Sequence, residues 1–164
     1  MSARLVSVVV WAIVIGMSLA TSSALGQGTE NGEWRSYGGD IKNTRYSPLD
    51  QIDASNFDDL EIAWRIKMSN FGPNPEYNFQ STPLMVDGVI YSTAGSRRTV
   101  VAADAGTGEL LWMHRFEEGE RGAATPRRLS GRGLAYRDDG ASGQIVYVTL
   151  GYQLIVLNAA TGER

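Results

Sequence analysis

Residues Thr99–Trp112 read TVVAADAGTGELLW, and the fold turns on how this stretch is read. A β-branched run ends in the small residue Ala102, Asp104 follows, then Thr107-Gly108, and three residues later Trp112. The Asp104 carboxylate is placed to accept hydrogen bonds from the N–H groups of a turn, and Gly108 can take the positive φ that reverses the chain. Trp112 then opens a returning strand with a large flat face that needs a surface to lie on. Much of this stretch returns near the end of the sequence as LIVLNAATGER. Tyr91, Thr93, Gly95 and Asp104 fall opposite Tyr147, Thr149, Gly151 and Asn158, the second copy having lost two loop residues. Thr107-Gly108 returns as Thr161-Gly162, and at that spacing a second Trp falls two residues past Arg164.

A repeat of roughly 40–55 residues carrying several short strands is the mark of a β-propeller blade. Pro83–Val86 and Val89–Thr93 flank Asp87-Gly88, a two-residue hairpin signal. With Thr99–Ala103 and Glu109–Phe116 they make one four-stranded antiparallel blade. Gly133–Tyr136, Gln144–Thr149 and Leu154–Leu157 supply three strands of a second, its outer strand lying beyond the sequence. The expected class is all-β, a partial propeller, and the chain is expected to be a fragment. Residues 81–164 are then the first blade and most of the second. Between them Glu117–Ser130 is a polar insertion whose acidic Glu117, Glu118 and Glu120 are expected to be solvated.

Composition agrees. Of 164 residues 43% are hydrophobic, 19 are glycine and none is cysteine. That suits a turn-rich β chain and excludes disulfides, cysteine-built metal sites and a lipid-modified amino-terminal cysteine. The net charge is −3, or −4 without the leader, whose one charge is Arg4. No basic stripe is present, so nucleic acid is not an expected partner.

Residues 1–26 have the pattern of a secretory signal peptide: Arg4, an uncharged and mainly apolar run from Leu5 to Ala20, then small and polar residues with cleavage points after Ala24 or Gly26. The competing reading is an inner-membrane anchor formed by residues 5–20. Sixteen residues fall short of the ~20 that span a bilayer comfortably. Export without cysteine points to a bacterial periplasm.

Residues 27–80 are a lead-in segment. It is rich in Gly, Asn, Asp and Ser at first, with Trp34, Tyr37, Tyr46 and Leu49 as anchors. Asp53–Asp59 is expected as a short helical turn capped by Asp53 or Ser55. Leu60–Met68 alternates well enough for one strand, with Ile62, Trp64 and Ile66 on one face.

The ordered motifs WRSYGGDIKNTRYSPLDQI, LEIAW, STPLMVDGVIYSTAG, AADAGTGELLW and SGRGLAY resemble the amino-terminal part of the pyrroloquinoline quinone (PQQ)-dependent alcohol and glucose dehydrogenases, from about Glu33 to Arg164. The resemblance implies an eight-bladed propeller with PQQ near its axis beside a calcium ion, and oxidation of an alcohol or aldose sugar by hydride transfer to the quinone. It implies a ring-closing role for Leu60–Met68 and hairpin tryptophans packed between successive blades. Ubiquinone or a cytochrome c is the implied electron acceptor.

Three residues carry over from the family. Arg132 in SGRGLAY matches its cofactor-contacting arginine, and a planar guanidinium suits a tricarboxylate; an arginine bonding loop carbonyls is the other reading. Thr149 matches a cofactor-contacting threonine, although Thr93 stands at the same place in the first repeat and argues for an ordinary strand residue. Gln80 stands where the family carries a glutamate near the cofactor, keeping the reach but not the acid. Pro126-Arg127 replaces the adjacent cysteines of the alcohol dehydrogenase branch, which leans the resemblance towards the sugar-oxidising members. The catalytic aspartate and the calcium ligands are expected downstream of Arg164, so the 164 residues alone are expected to be inactive. His114, the one histidine, reads as an outer-strand packing or solvated residue. The alternative to an enzyme is a non-catalytic propeller built from such repeats, serving as an envelope scaffold or binding protein.

Overall fold

The computed structural model describes residues 29–72, 78, 80–126 and 133–164. The leader, Arg127, Arg128 and Arg132 lie outside the described residues. Two antiparallel sheets carry the chain. The first runs β1 (Leu84–Val86), β2 (Val89–Ala94), β3 (Thr99–Asp104), β4 (Leu110–His114), in that spatial order. The second runs β5 (Ala135–Arg137), β6 (Gln144–Val148), β7 (Leu154–Asn158), also in chain order. These are the strands read from the turn signals, to within two residues at most ends. One short helix, α1 (Gly119–Ala123), stands in the insertion that the sequence left as a polar loop.

The turns explain the register. Asp87 and Gly88 both have positive φ, 48° and 77°, the geometry that lets a two-residue loop follow the twist of its strands, and Val86 pairs with Val89. At the β3–β4 turn Asp104 Oδ1 accepts from the N–H groups of Gly106 (3.0 Å) and Thr107 (2.7 Å) and from the Thr107 hydroxyl (2.9 Å). After β7, Asn158 Oδ1 accepts from Ala160 and Thr161 N–H at 2.9 and 3.1 Å. An amide oxygen replaces a carboxylate oxygen and the same turn forms, because the bond needs an acceptor and not a charge.

Two tryptophans lock the units together in the same way. The Trp112 indole N–H donates to the Ala159 carbonyl at 2.9 Å, and its ring lies on Gly162, where a Cβ would come within 2.6 Å of it. The Trp64 indole N–H donates to the Ala105 carbonyl at 2.9 Å, and its ring lies on Gly108, again 2.6 Å from where a Cβ would stand. Each glycine is thus needed for its positive φ and for a flat ring above it. Residues 60–67 have no ladder partner among the described residues, so the alternation over Leu60–Met68 is not a strand of either sheet. Trp64 fixes the segment instead, doing for the first sheet what Trp112 does for the second.

The core lies between the sheets, where Leu84, Val86, Tyr91, Val100 and Ala102 meet Ile145, Tyr147, Ile155 and Leu157. The opposite face of the first sheet is closed by the lead-in segment: the Thr99 hydroxyl and the Arg115 guanidinium both donate to the Phe71 carbonyl, at 3.0 and 2.7 Å. Trp34 makes a two-bond bridge to Met85 on β1. Arg35 pairs with Glu33 at 2.8 Å, reaches Asp87 and Asp138 at 3.7 and 3.8 Å, and lies over Tyr136, so one guanidinium ties the lead-in segment to both sheets. The helical turn is shorter than expected, a 3₁₀ turn at Phe57–Asp59 whose N-cap is Asn56 and which carries no side-chain cap; Asp53 Oδ1 instead accepts from Ser55 N–H at 2.7 Å in the turn ahead of it. No helix among the described residues is long and apolar enough to cross a membrane.

Candidate functional site

Antiparallel order sorts the loops to two ends. The upper rim, where β1 begins, carries Gln80, the β2–β3 turn, the described part of the β4–β5 connection (115–126 and 133–134) and the β6–β7 turn. The lower rim carries the hairpins at 87–88, 105–109 and 138–143 and the turn after β7. Of the three residues carried over from the family, Gln80 and Thr149 therefore share the upper rim, Gln80 exposed and Thr149 only 3% exposed. Arg132 falls outside the described residues. Thr93, the counterpart of Thr149 in the first repeat, is fully buried on β2.

Thr149 is the centre of a polar cluster. Its hydroxyl donates to Glu118 Oε1 at 2.5 Å and accepts from Gln153 N–H at 3.0 Å. Glu118 Oε1 also accepts from Gln153 Nε2 at 3.0 Å, and Oε2 from Gly151 N–H at 2.8 Å. The Arg121 guanidinium on α1 donates to the Gly151 carbonyl at 2.7 Å. Partial burial alone would raise the Glu118 carboxyl, but the bonds from Thr149, Gly151 and Gln153, with the charge of Arg121, hold it below the usual glutamate range. Glu118 is therefore not the solvated member of a charged loop that the sequence suggested.

Sequence reasoning also passed over Arg98. It is 7% exposed at φ 51°, and its Nη1 donates to the Val148 and Thr149 carbonyls at 2.7 and 3.0 Å, crossing from the β2–β3 turn of one sheet to the end of β6 in the other. Arg97 beside it, at φ 69°, pairs with Glu117 at 2.6 Å. Non-glycine residues in the left-handed region are held there by their surroundings, and Tyr152 at φ 62° makes a third on this rim. A cleft of about 730 Å³ runs from Arg98 and Tyr152 across Leu134, Val146 and Val148.

The rim thus carries three guanidinium groups, each with a partner in the chain, beside the carboxylates of Glu117 and Glu118, and a donor set that holds one of those carboxylates. Among the described residues no group of three or more His, Asp or Glu is gathered for a metal ion. His114 is half-buried edge-on to Tyr147, with ring centroids 6.3 Å apart, and burial lowers its pKa. Its position is that of a packing residue between the sheets.

A four-stranded and a three-stranded antiparallel sheet, packed face to face and locked tryptophan-on-glycine, fit a propeller class, and comparison with known proteins identifies which. Residues 34–164 match the family model for the beta-propeller domain of the PQQ glucose/ethanol/alcohol dehydrogenases, and the chain belongs to this family. It is 39% identical to the quinohemoprotein alcohol dehydrogenase ADH IIB of Pseudomonas putida, over 80% of this chain and 18% of that protein. It is 34% identical to the 1-butanol dehydrogenase (cytochrome c) of Thauera butanivorans, over 81% of this chain and 18% of that protein. Among solved structures, the quinohemoprotein alcohol dehydrogenase of Comamonas testosteroni superposes with a TM-score of 0.61 at 33% identity, covering 80% of this chain and 18% of that one. The chain spans about a fifth of the length of the curated relatives it matches.

Proposed function

We propose that these residues are the opening part of a periplasmic quinoprotein dehydrogenase that oxidises an alcohol, with PQQ and a calcium ion near the axis of an eight-bladed ring. The observation that carries this reading is the family match across residues 34–164. The upper-rim donor set supports it, because Thr149, Gly151 and Gln153 already hold a carboxylate there. When bound, PQQ supplies a quinone that accepts a hydride from the alcohol carbon, with calcium polarising the quinone carbonyl. The residues of this chain bind and orient: Arg132 as a two-pronged partner for a cofactor carboxylate, Thr149 as a hydroxyl contact, and Gln80 as a neutral hydrogen-bonding side chain that avoids repulsion between like charges. The catalytic base and the calcium ligands belong to later blades.

The relatives' names favour an alcohol as substrate and a cytochrome c as electron acceptor, with ubiquinone as the other acceptor. The second reading, an aldose substrate, has one observation in its favour: the chain lacks cysteine and has Pro126-Arg127 where the alcohol branch carries its adjacent pair. Export follows from residues 1–26. Titration of PQQ with calcium into the complete protein and into Arg132→Ala tests the assignment. Saturable binding is expected, weakened in the variant by about tenfold to a hundredfold for a lost charge-assisted pair. Equal affinities remove Arg132 from the site, and no binding by either protein sinks the quinoprotein reading.

A further inference from the structure

Glu118 turns its side chain onto the β6–β7 turn and takes every donor that the turn presents to it. Thr149 O–H and Gln153 Nε2 go to Oε1, at 2.5 and 3.0 Å, and Gly151 N–H goes to Oε2 at 2.8 Å. The fit is close, since a Cβ on Gly151 would stand 2.5 Å from Oε1. A hydroxyl has one proton, and that of Thr149 is committed to Glu118 while its oxygen accepts from Gln153 N–H at 3.0 Å. The Gly151 N–H is committed likewise. While Glu118 is in place, Thr149 has no proton to give an anionic ligand oxygen, and two carboxylates cannot share one donor set without repulsion.

We propose that Glu118 is an internal competitor for the cofactor: it fills the Thr149–Gly151–Gln153 donor set in the cofactor-free protein, and a carboxylate of PQQ takes that set by displacing it. This inference rests on the PQQ reading above. The exchange is one carboxylate for another, so the turn stays formed in both states, and Glu118 sets how tightly and how fast the cofactor enters. It touches neither substrate nor the reacting atoms.

The test is equilibrium titration of PQQ with calcium into the complete protein, read by quenching of tryptophan fluorescence, for wild type, Glu118→Ala, Glu118→Gln, Thr149→Val and the pair Glu118→Ala/Thr149→Val. Glu118→Ala is expected to tighten Kd by about tenfold, the equivalent of one charge-assisted hydrogen bond that no longer has to be broken. Glu118→Gln should move in the same direction by less, since its amide keeps one acceptor but sets an NH₂ against Gly151 N–H. In the Thr149→Val background the gain should vanish. Glu118→Gln keeps the side-chain volume and carries the test if thermal melting shows that Glu118→Ala does not fold. A Kd unchanged or weakened in both single variants makes Glu118 a pin for the turn and overturns the proposal, leaving the quinoprotein reading intact. Failure of the wild-type protein to bind PQQ overturns both.

Discussion

The two sheets have the same hairpins and the same turn chemistry, yet they are buried differently. Along β3 five consecutive residues are buried, whereas along β7 buried and exposed residues alternate. The inner strands β2 and β3 of the first sheet are covered on both faces, by the second sheet on one side and by Trp64, Phe71 and Gly72 on the other, while β4 leaves Leu111 and Met113 half exposed. The second sheet is covered on one. Its outer face shows Val148, Leu154 and Val156 at 41, 67 and 41% exposure, where the first sheet has Val101 and Ala103 at 1%. A propeller blade is stable as a filling between neighbours, and here the inner strands of the first sheet lie between the second sheet and the lead-in segment.

That contrast yields predictions of decreasing size. The largest concerns the outer faces. Val101→Asp should cost about 4 kcal/mol or more, because it buries an unpaired charge, whereas Val156→Asp in the 164-residue chain should stay within about 1 kcal/mol. Urea unfolding followed by circular dichroism compares them. Equal costs would break the contrast.

Next come the glycines beneath the two rings. Gly108→Ala and Gly162→Ala each combine a left-handed backbone with a methyl pressed into an indole, and each should cost about 2–4 kcal/mol. Thermal melting that shows one large and one negligible effect would mean that the two locks are not equivalent.

Acid should act between the sheets before it acts on the turns. Burial lowers His114, so as pH falls through the ordinary histidine range the unfolded chain takes up a proton first and stability declines. His114→Phe should flatten melting temperature against pH between about 7 and 5, the window set by an unperturbed value near 6.5. An unchanged slope would take His114 out of the interface account. The smallest effect distinguishes the turns. Backbone and hydroxyl bonds from Thr107 hold Asp104 below the usual carboxylate range, so its contribution is present above that range and is lost as pH falls through its folded value. Asn158 cannot titrate. Asp104→Asn should remove a slight acid-limb slope and Asn158→Asp should add one, both visible as changes in melting temperature below pH 5; the reverse pattern would contradict the equivalence of the turns.

Most strands were legible because their boundaries are local: Asp87-Gly88 and the two Thr-Gly turns fix φ, loop length and register within a few residues. The Trp64 lock was not. Its segment alternates like a strand, and the glycine on which it lies is 44 positions further along the chain. The upper-rim cluster was hidden for the same physical reason. Three glutamates within Glu117–Glu120 look like a solvated face, and the donors that make Glu118 different sit at 149–153, brought to it by the packing of one sheet on the other. Nothing local marks Arg98, and its burial follows from carbonyls at 148 and 149. In the sequence, Gly151 is the one trace of the cluster, a small residue kept where something must come close.

The claim beneath these readings is that one tryptophan-on-glycine lock is used twice, to hold the second sheet on the first and to fasten the lead-in segment to the first. A double-mutant cycle at each lock, Trp112→Ala with Gly162→Ala and Trp64→Ala with Gly108→Ala, tests it by unfolding free energy. Once the ring is gone, the added methyl meets open space and only the backbone cost remains, so both cycles should show coupling of about 1–2 kcal/mol. Simple additivity at either lock would contradict the account.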